Sequence, residues 1–210
     1  MRTGPAARYD SPYPPDDITY AMVRPGLELL CDKRLVVDRP SELAEHLLTA
    51  GADRRIVMHG MHSVVDWLCF AVWEDGELVR SLSVSPDSGI VENIGEPCAF
   101  ELPFWAGEHP VEPVPGWSNQ GLYPLPFHPL DLGEQALRAL FGFVIEGRPR
   151  PDDIDAGAIP MLGFRVIDPT GREQAEREAS YRRMRQMMGP PRRLRMGPDG
   201  TVQEISSDAV

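Results

Sequence analysis

The residues best placed to do chemistry are histidines near a carboxylate. His59-Gly60-Met61-His62 is followed by Asp66, four residues on, and this HxxH-plus-Asp set offers three groups of the kind that ligate zinc. On a helix the two histidines would share a face. Gly60 and the β-branched pair Val64-Val65 argue for a strand, and strand alternation sends His59 and His62 opposite ways unless a bulge at Gly60 re-aims one. No fourth ligand is in view, so no metal site is expected, and hydrogen bonding at a strand mouth is the expected role. Ser63 lies beside His62 and near Asp66, which invites a nucleophile reading. Triads assemble from distant segments, however, and no Gly-x-Ser-x-Gly elbow occurs. A hydrolase-like or ligand-binding site built on His59, His62 and Asp66 would need a loop histidine, His109 or His128, to complete it. No glycine-rich phosphate loop is present: Gly142 and Gly147 lead into Arg148-Pro149, and no cofactor is implied.

Two other patterns suit binding. Eight of the 22 prolines lie between Pro97 and Pro129, which forbids a helix there. The same stretch is rich in rings, unlike a disordered segment. Trp105, Trp117, Tyr123 and Phe127, within loop 100–127, could line a groove for a peptide or small ligand. The competing expectation is that the rings fold back and cover an apolar sheet face. The second pattern is basic. Residues 172–195 hold eight Arg and three Glu, a local charge of +5, while the whole chain carries −11, which leaves −16 for the remainder. Arg182, Arg183, Arg185, Arg192 and Arg193 (with Arg195 following) could recognise an acidic protein partner. The bulk negative charge disfavours nucleic acid and anionic membranes.

These residues must be positioned by a sheet organised around a hairpin at about 63–85. Asp75-Gly76 between apolar runs is a strong two-residue turn signal. It predicts Glu74 opposite Glu77, Trp73 opposite Leu78, Cys69 opposite Leu82 and Trp67 opposite Val84. Arg80 then falls on the tryptophan face, either stacked on Trp73 or snorkelling past the sheet. Ser81, Ser83 and Ser85 fall on the other face, towards solvent or a covering loop.

Further strands are expected at 18–23, 27–31, 35–37, 55–59, 90–94 and 161–167. Helices are expected at 40–50, 131–146 and 172–188, with no regular structure over 96–129. The fold class is α+β: a single domain with a mixed, largely antiparallel sheet of about five strands. An N-terminal arm is expected at 1–15, the core at 16–168, and an Arg-rich helix and tail at 169–210. Three scattered cysteines without a CxxC, no secretory h-region and no apolar run longer than Trp67–Trp73 point to a cytoplasmic protein that does not enter the membrane.

The segments YPPDDITYA, LCDKRLVVDRPSEL, HGMHSVVDWLCFAVWEDGELVRSLSVSPDSG, PFWAGEHPV, YPLPFHPLDLGEQALRALFGFVIEG and GFRVIDP resemble an actinobacterial family of unknown function, over about residues 12–170. The resemblance brings no assigned activity. It implies an apolar strand ahead of Tyr13-Pro14-Pro15, where this chain has MRTGPAARYDS. The function expected from the residues is therefore a non-enzymatic protein- or peptide-binding module using the aromatic loop, the Arg-rich tail, or both. The alternative is the histidine-based enzyme.

Overall fold

The computed structural model describes residues 14, 17–51, 53–113, 121–167, 170–188, 193–196 and 202–205. The expected arm at 1–15 lies outside them, Pro14 excepted. The chain divides into two compact units, Met1–Arg165 and Val166–Val210.

In the first unit, β1 (Ile18–Arg24) and β2 (Leu27–Cys31) form a hairpin across Pro25-Gly26. The strand expected at 35–37 gives way to a helical turn, Lys33–Leu35. Asp32 explains it: its carboxylate accepts the Arg34 N–H (2.8 Å), the Arg34 guanidinium and the Thr19 hydroxyl, so the chain curls around that group. Likewise the helix expected over 40–50 is split into a turn at Pro40–Glu42 and α1 (Glu45–Ala50). Ser41 there gives both its N–H (3.0 Å) and its hydroxyl (2.6 Å) to the Glu92 carboxylate.

β3 (Ile56–His62) runs unbroken through Gly60, where a break or bulge was expected. Gly60 serves a close approach instead: a Cβ would meet the Trp67 indole at 3.3 Å and the Cys69 sulfur at 3.2 Å. Ser63–Asp66 is a turn, with Val64 and Val65 exposed, and β4 (Trp67–Glu74) starts only after it. β4 then pairs with β5 (Glu77–Ser85), and β5 with β6 (Gly89–Ile94).

The Asp75-Gly76 turn pairs Glu74 with Glu77 and Trp73 with Leu78, as read from the sequence. One step further the register shifts, because Val72 faces Arg80 and Val79 is left over. Cys69 therefore faces Ser83 rather than Leu82, and Val84 faces Leu68 rather than Trp67. A one-residue slip exchanges faces. Leu82 and Val84 join Leu68 and Phe70 in one apolar cluster, while Ser81 and Ser83 turn to the Cys69–Ala71 side. Arg80 leaves the tryptophan face altogether.

α2 (Leu102–Trp105) is a single turn within the proline-rich stretch. α3 (Pro129–Phe141) lies on β3 and β4 and stops earlier than residue 146, where Gly142 takes a left-handed φ of 82°. The buried Glu134 carboxylate accepts the N–H groups of Ile145 (3.0 Å) and Glu146 (2.9 Å), so the following chain folds over the helix. β7 (Leu162–Arg165) completes a sheet of order β2-β1-β7. Phe141, Phe143, Ile154 and Ile159 meet Met22, Leu27 and Leu29 of that sheet around a small apolar cavity.

The fold is α+β, with the strands of the first unit in two antiparallel sheets, β2-β1-β7 and β3-β4-β5-β6, where one sheet was expected. The second unit contains α4 (Arg172–Met188) and the antiparallel pair β8 (Arg193–Met196) and β9 (Val202–Ile205). Among the described residues no helix is long and apolar enough to cross a membrane.

Candidate functional site

The structure separates most of the histidine set. His59 and His62 occupy opposite faces of β3, as alternation requires. His59 packs edge-on to Phe141 with ring centroids 6.3 Å apart, and its Nε2–H donates to the Gly133 carbonyl at 3.1 Å. Burial pushes this imidazole down to about 4, the carbonyl bond only partly opposing it, so His59 is neutral at pH 7. His62 and Ser63 are exposed. His109 is stacked on Phe104, 4.3 Å between centroids.

Only Asp66 and His128 come together. Asp66 closes the β3–β4 turn with a φ of 47°, unusual for a residue with a side chain. Its Oδ2 lies 3.6 Å from His128 Nε2. His128 is the N-cap of α3, and its Nδ1 accepts the Leu130 N–H at 3.3 Å. That bond requires an unprotonated Nδ1, which puts the neutral ring's hydrogen on Nε2. The Tyr123 ring stacks on His128 at 5.7 Å, and the Tyr123 hydroxyl is buried with no hydrogen-bond partner among the described residues. Burial first, and the charges of Asp66 and Asp131 second, raise this phenol to about 12. With Nδ1 committed to the backbone, His128 has no free lone pair to activate Ser63. Among the described residues, no three His, Cys, Asp or Glu side chains gather as a metal's ligands would.

The aromatic loop takes the covering role. Phe104, Leu125 and Phe127, with Phe100, Trp105 and Tyr123 partly buried beside them, close over Leu68, Phe70, Leu82 and Val84. Phe127 is 0% exposed and packs T-shaped against both Phe104 (5.6 Å between centroids) and Trp105 (4.9 Å). Its place in the binding set is thereby corrected: a ring fully inside the core has no surface to offer a ligand. Burying such side chains stabilises the fold by about 1.5–3 kcal/mol each. Trp117 lies outside the described residues.

A buried ion pair that the sequence reading missed fastens this cover to the sheet. Arg80, 1% exposed, donates from Nε to Glu101 Oε1 (2.8 Å) and from Nη2 to Oε2 (2.6 Å). Its Nη1 reaches Asn93 Oδ1 (2.6 Å) and the Ile94 carbonyl (2.9 Å). Glu101, 0% exposed, also accepts the Cys98 N–H (2.7 Å) and the Trp105 indole N–H (3.2 Å). Arg80 therefore lies 6.0 Å from the Phe70 ring centroid and neither stacks on Trp73 nor snorkels outward. The signal available in the sequence was an arginine within an apolar strand.

On the other sheet face Ser81 and Glu92 form a second buried polar group, and the Trp67 indole N–H donates to the Ser83 hydroxyl (3.2 Å). The three serines, expected towards solvent or a covering loop, are all buried.

On the described part of the Arg-rich end, α4 presents Tyr181, Met184 and Met187 to solvent, Met187 at 88%. Arg182, Arg183 and Arg185 are exposed between them, and Glu178, Tyr181, Arg182 and Arg185 line a surface concavity. Arg193 opens β8, and Arg192 lies outside the described residues.

Fold and site together define an α+β protein with a covered sheet, a buried Arg–Glu clamp and an exposed arginine-bearing helix. The chain belongs to the Family of unknown function (DUF6928), whose model matches residues 3–164. No curated protein and no solved structure matches it.

Proposed function

We propose that this chain is a protein-binding module that recognises an acidic segment carrying apolar residues, through the Tyr181–Met184–Met187 side of α4 and its flanking Arg182, Arg183 and Arg185. One observation carries the reading: the chain's two candidate binding surfaces differ in what they have left to offer. The described rings of the proline-rich loop pack on the core cluster, with Phe127 at 0% exposure, whereas Tyr181, Met184 and Met187 of α4 stand at 54%, 47% and 88%. Large exposed side chains beside arginines form the kind of surface that pairs apolar contact with charge complementarity. Guanidinium groups suit carboxylates in particular, because their fork can donate two parallel bonds.

Fluorescence anisotropy with a labelled synthetic peptide of repeating Glu-Glu-Leu, on the intact chain, tests this. Saturable binding is expected, weakened by salt, and weakened about tenfold or more when Arg182, Arg183 and Arg185 are all changed to Glu. Equal affinity in that variant would overturn the proposal. So would tighter binding of a labelled DNA duplex than of the peptide.

A further inference from the structure

We infer that His128 is a proton-operated latch at the start of α3, holding the helix N-terminus when neutral and releasing it, with Asp66 as its remaining partner, when charged. The neutral ring serves both ends at once, Nδ1 at the cap and Nε2 facing Asp66, and only the cap depends on Nδ1 staying unprotonated. Nδ1 can accept the Leu130 N–H at 3.3 Å only while it lacks a proton. Nε2 lies 3.6 Å from Asp66 Oδ2, too far for a hydrogen bond but within reach of an ion pair once the ring is charged. A second proton on Nδ1 would face the Leu130 N–H donor to donor. The ring must then give up the cap and is left with the Asp66 carboxylate that its Nε2 already faces.

The groups around the ring set the balance. Asp66 faces it from the β3–β4 turn, Tyr123 stacks on it from the preceding loop, and Asp131 sits in the first turn of α3. Water reaches the pair, since the side chains of His128 and Asp66 are 29% and 37% exposed. Histidine is also the residue type that changes charge between about pH 5 and 8. His128 joins the covering loop, which ends in Leu125 and Phe127, to α3. Releasing the cap therefore loosens the first turn of α3 and the last residues of the cover together.

The test is an NMR titration of the intact chain from about pH 8 to about pH 5, following the His128 ring protons and the Leu130 amide. The Leu130 amide is expected to shift with the same inflection as the ring, and its exchange protection to fall about fivefold across it, after correction for intrinsic rates. In Asp66→Asn the inflection moves to lower pH. In His128→Asn, where the amide oxygen caps without titrating, Leu130 stays protected throughout. A Leu130 amide indifferent to the ring's titration would overturn the inference, as would an inflection unmoved by Asp66→Asn; this second variant leaves the cap intact should His128→Asn fail to fold.

Discussion

The Arg80–Glu101 pair offers the sharpest perturbation of the fold. Both side chains are buried, they share two hydrogen bonds of 2.8 and 2.6 Å, and Glu101 also accepts from the covering loop, at the Cys98 N–H and the Trp105 Nε1–H. Removing one partner leaves the other charged in the interior, a change that costs about 3–5 kcal/mol. Glu101→Gln is expected at the upper end, because its amide group would point donors at the guanidinium. Arg80→Met is expected lower, since Cys98 and Trp105 still solvate the carboxylate. The double change Arg80→Met/Glu101→Leu should cost well below the sum of the singles, because no unpaired charge remains. Equilibrium urea unfolding, read by tryptophan fluorescence, measures all three against a typical total of about 5–15 kcal/mol. Single-variant losses below about 1 kcal/mol would mean that the pair behaves as a solvated surface bridge and does not clamp the loop. Strict additivity in the double variant would refute the coupling.

Two further expectations concern pH and follow from opposite faces of the same sheet. His59 is held neutral by burial, with its folded value near 4 against 6.5 ordinarily. The unfolded chain therefore takes up a proton first, and stability falls as pH drops from 6.5 towards 4, by on the order of 2 kcal/mol. His59→Gln should flatten that part of the pH–stability curve; a curve of unchanged slope would contradict the buried neutral ring. Glu92 is held below the ordinary carboxylate range by the Ser41 hydroxyl, the Ser81 hydroxyl and the Ser41 N–H, which overcome its desolvation. Its contribution is present above the ordinary range and is lost as pH falls through the depressed value. Glu92→Gln should cost about 1–3 kcal/mol at pH 7 and less in acid, measured by urea unfolding at both; an equal cost at both pH values would show that its charge is irrelevant.

Much of the fold was legible because its signals are local. The Asp75-Gly76 turn sets its two nearest pairs, and the apolar runs at β1, β2, β4 and β6 mark strands by composition alone. The bulge at Val79 was not legible, since it depends on a contact distant in sequence. Gly95, at a φ of 78°, passes so close to Val79 that a Cβ would lie 2.0 Å from the Val79 carbonyl oxygen, and its own carbonyl accepts from Arg80 at 3.3 Å. That single unpaired residue exchanged the faces of Arg80, Leu82 and Val84, and with them the environment of every serine on β5. Helix ends failed for a related reason: Glu134 and Glu92 recruit backbone N–H groups from neighbouring segments, which no periodicity reveals. Of the histidine candidates, alternation correctly separated His59 from His62. The pairing of Asp66 with His128 spans 62 positions and becomes visible only once α3 is laid on the β3–β4 turn.

Where an acidic ligand lands on the chain is open to direct measurement. In a ¹⁵N-edited NMR titration of the intact protein with the Glu-Glu-Leu peptide at low salt, binding by α4 predicts shifts concentrated on the amides of Tyr181 to Met187, with the Trp105 indole N–H unmoved on Glu101. Shifts at the Trp105 indole and Tyr123 with α4 silent, or no shift anywhere, would contradict the proposed binding surface.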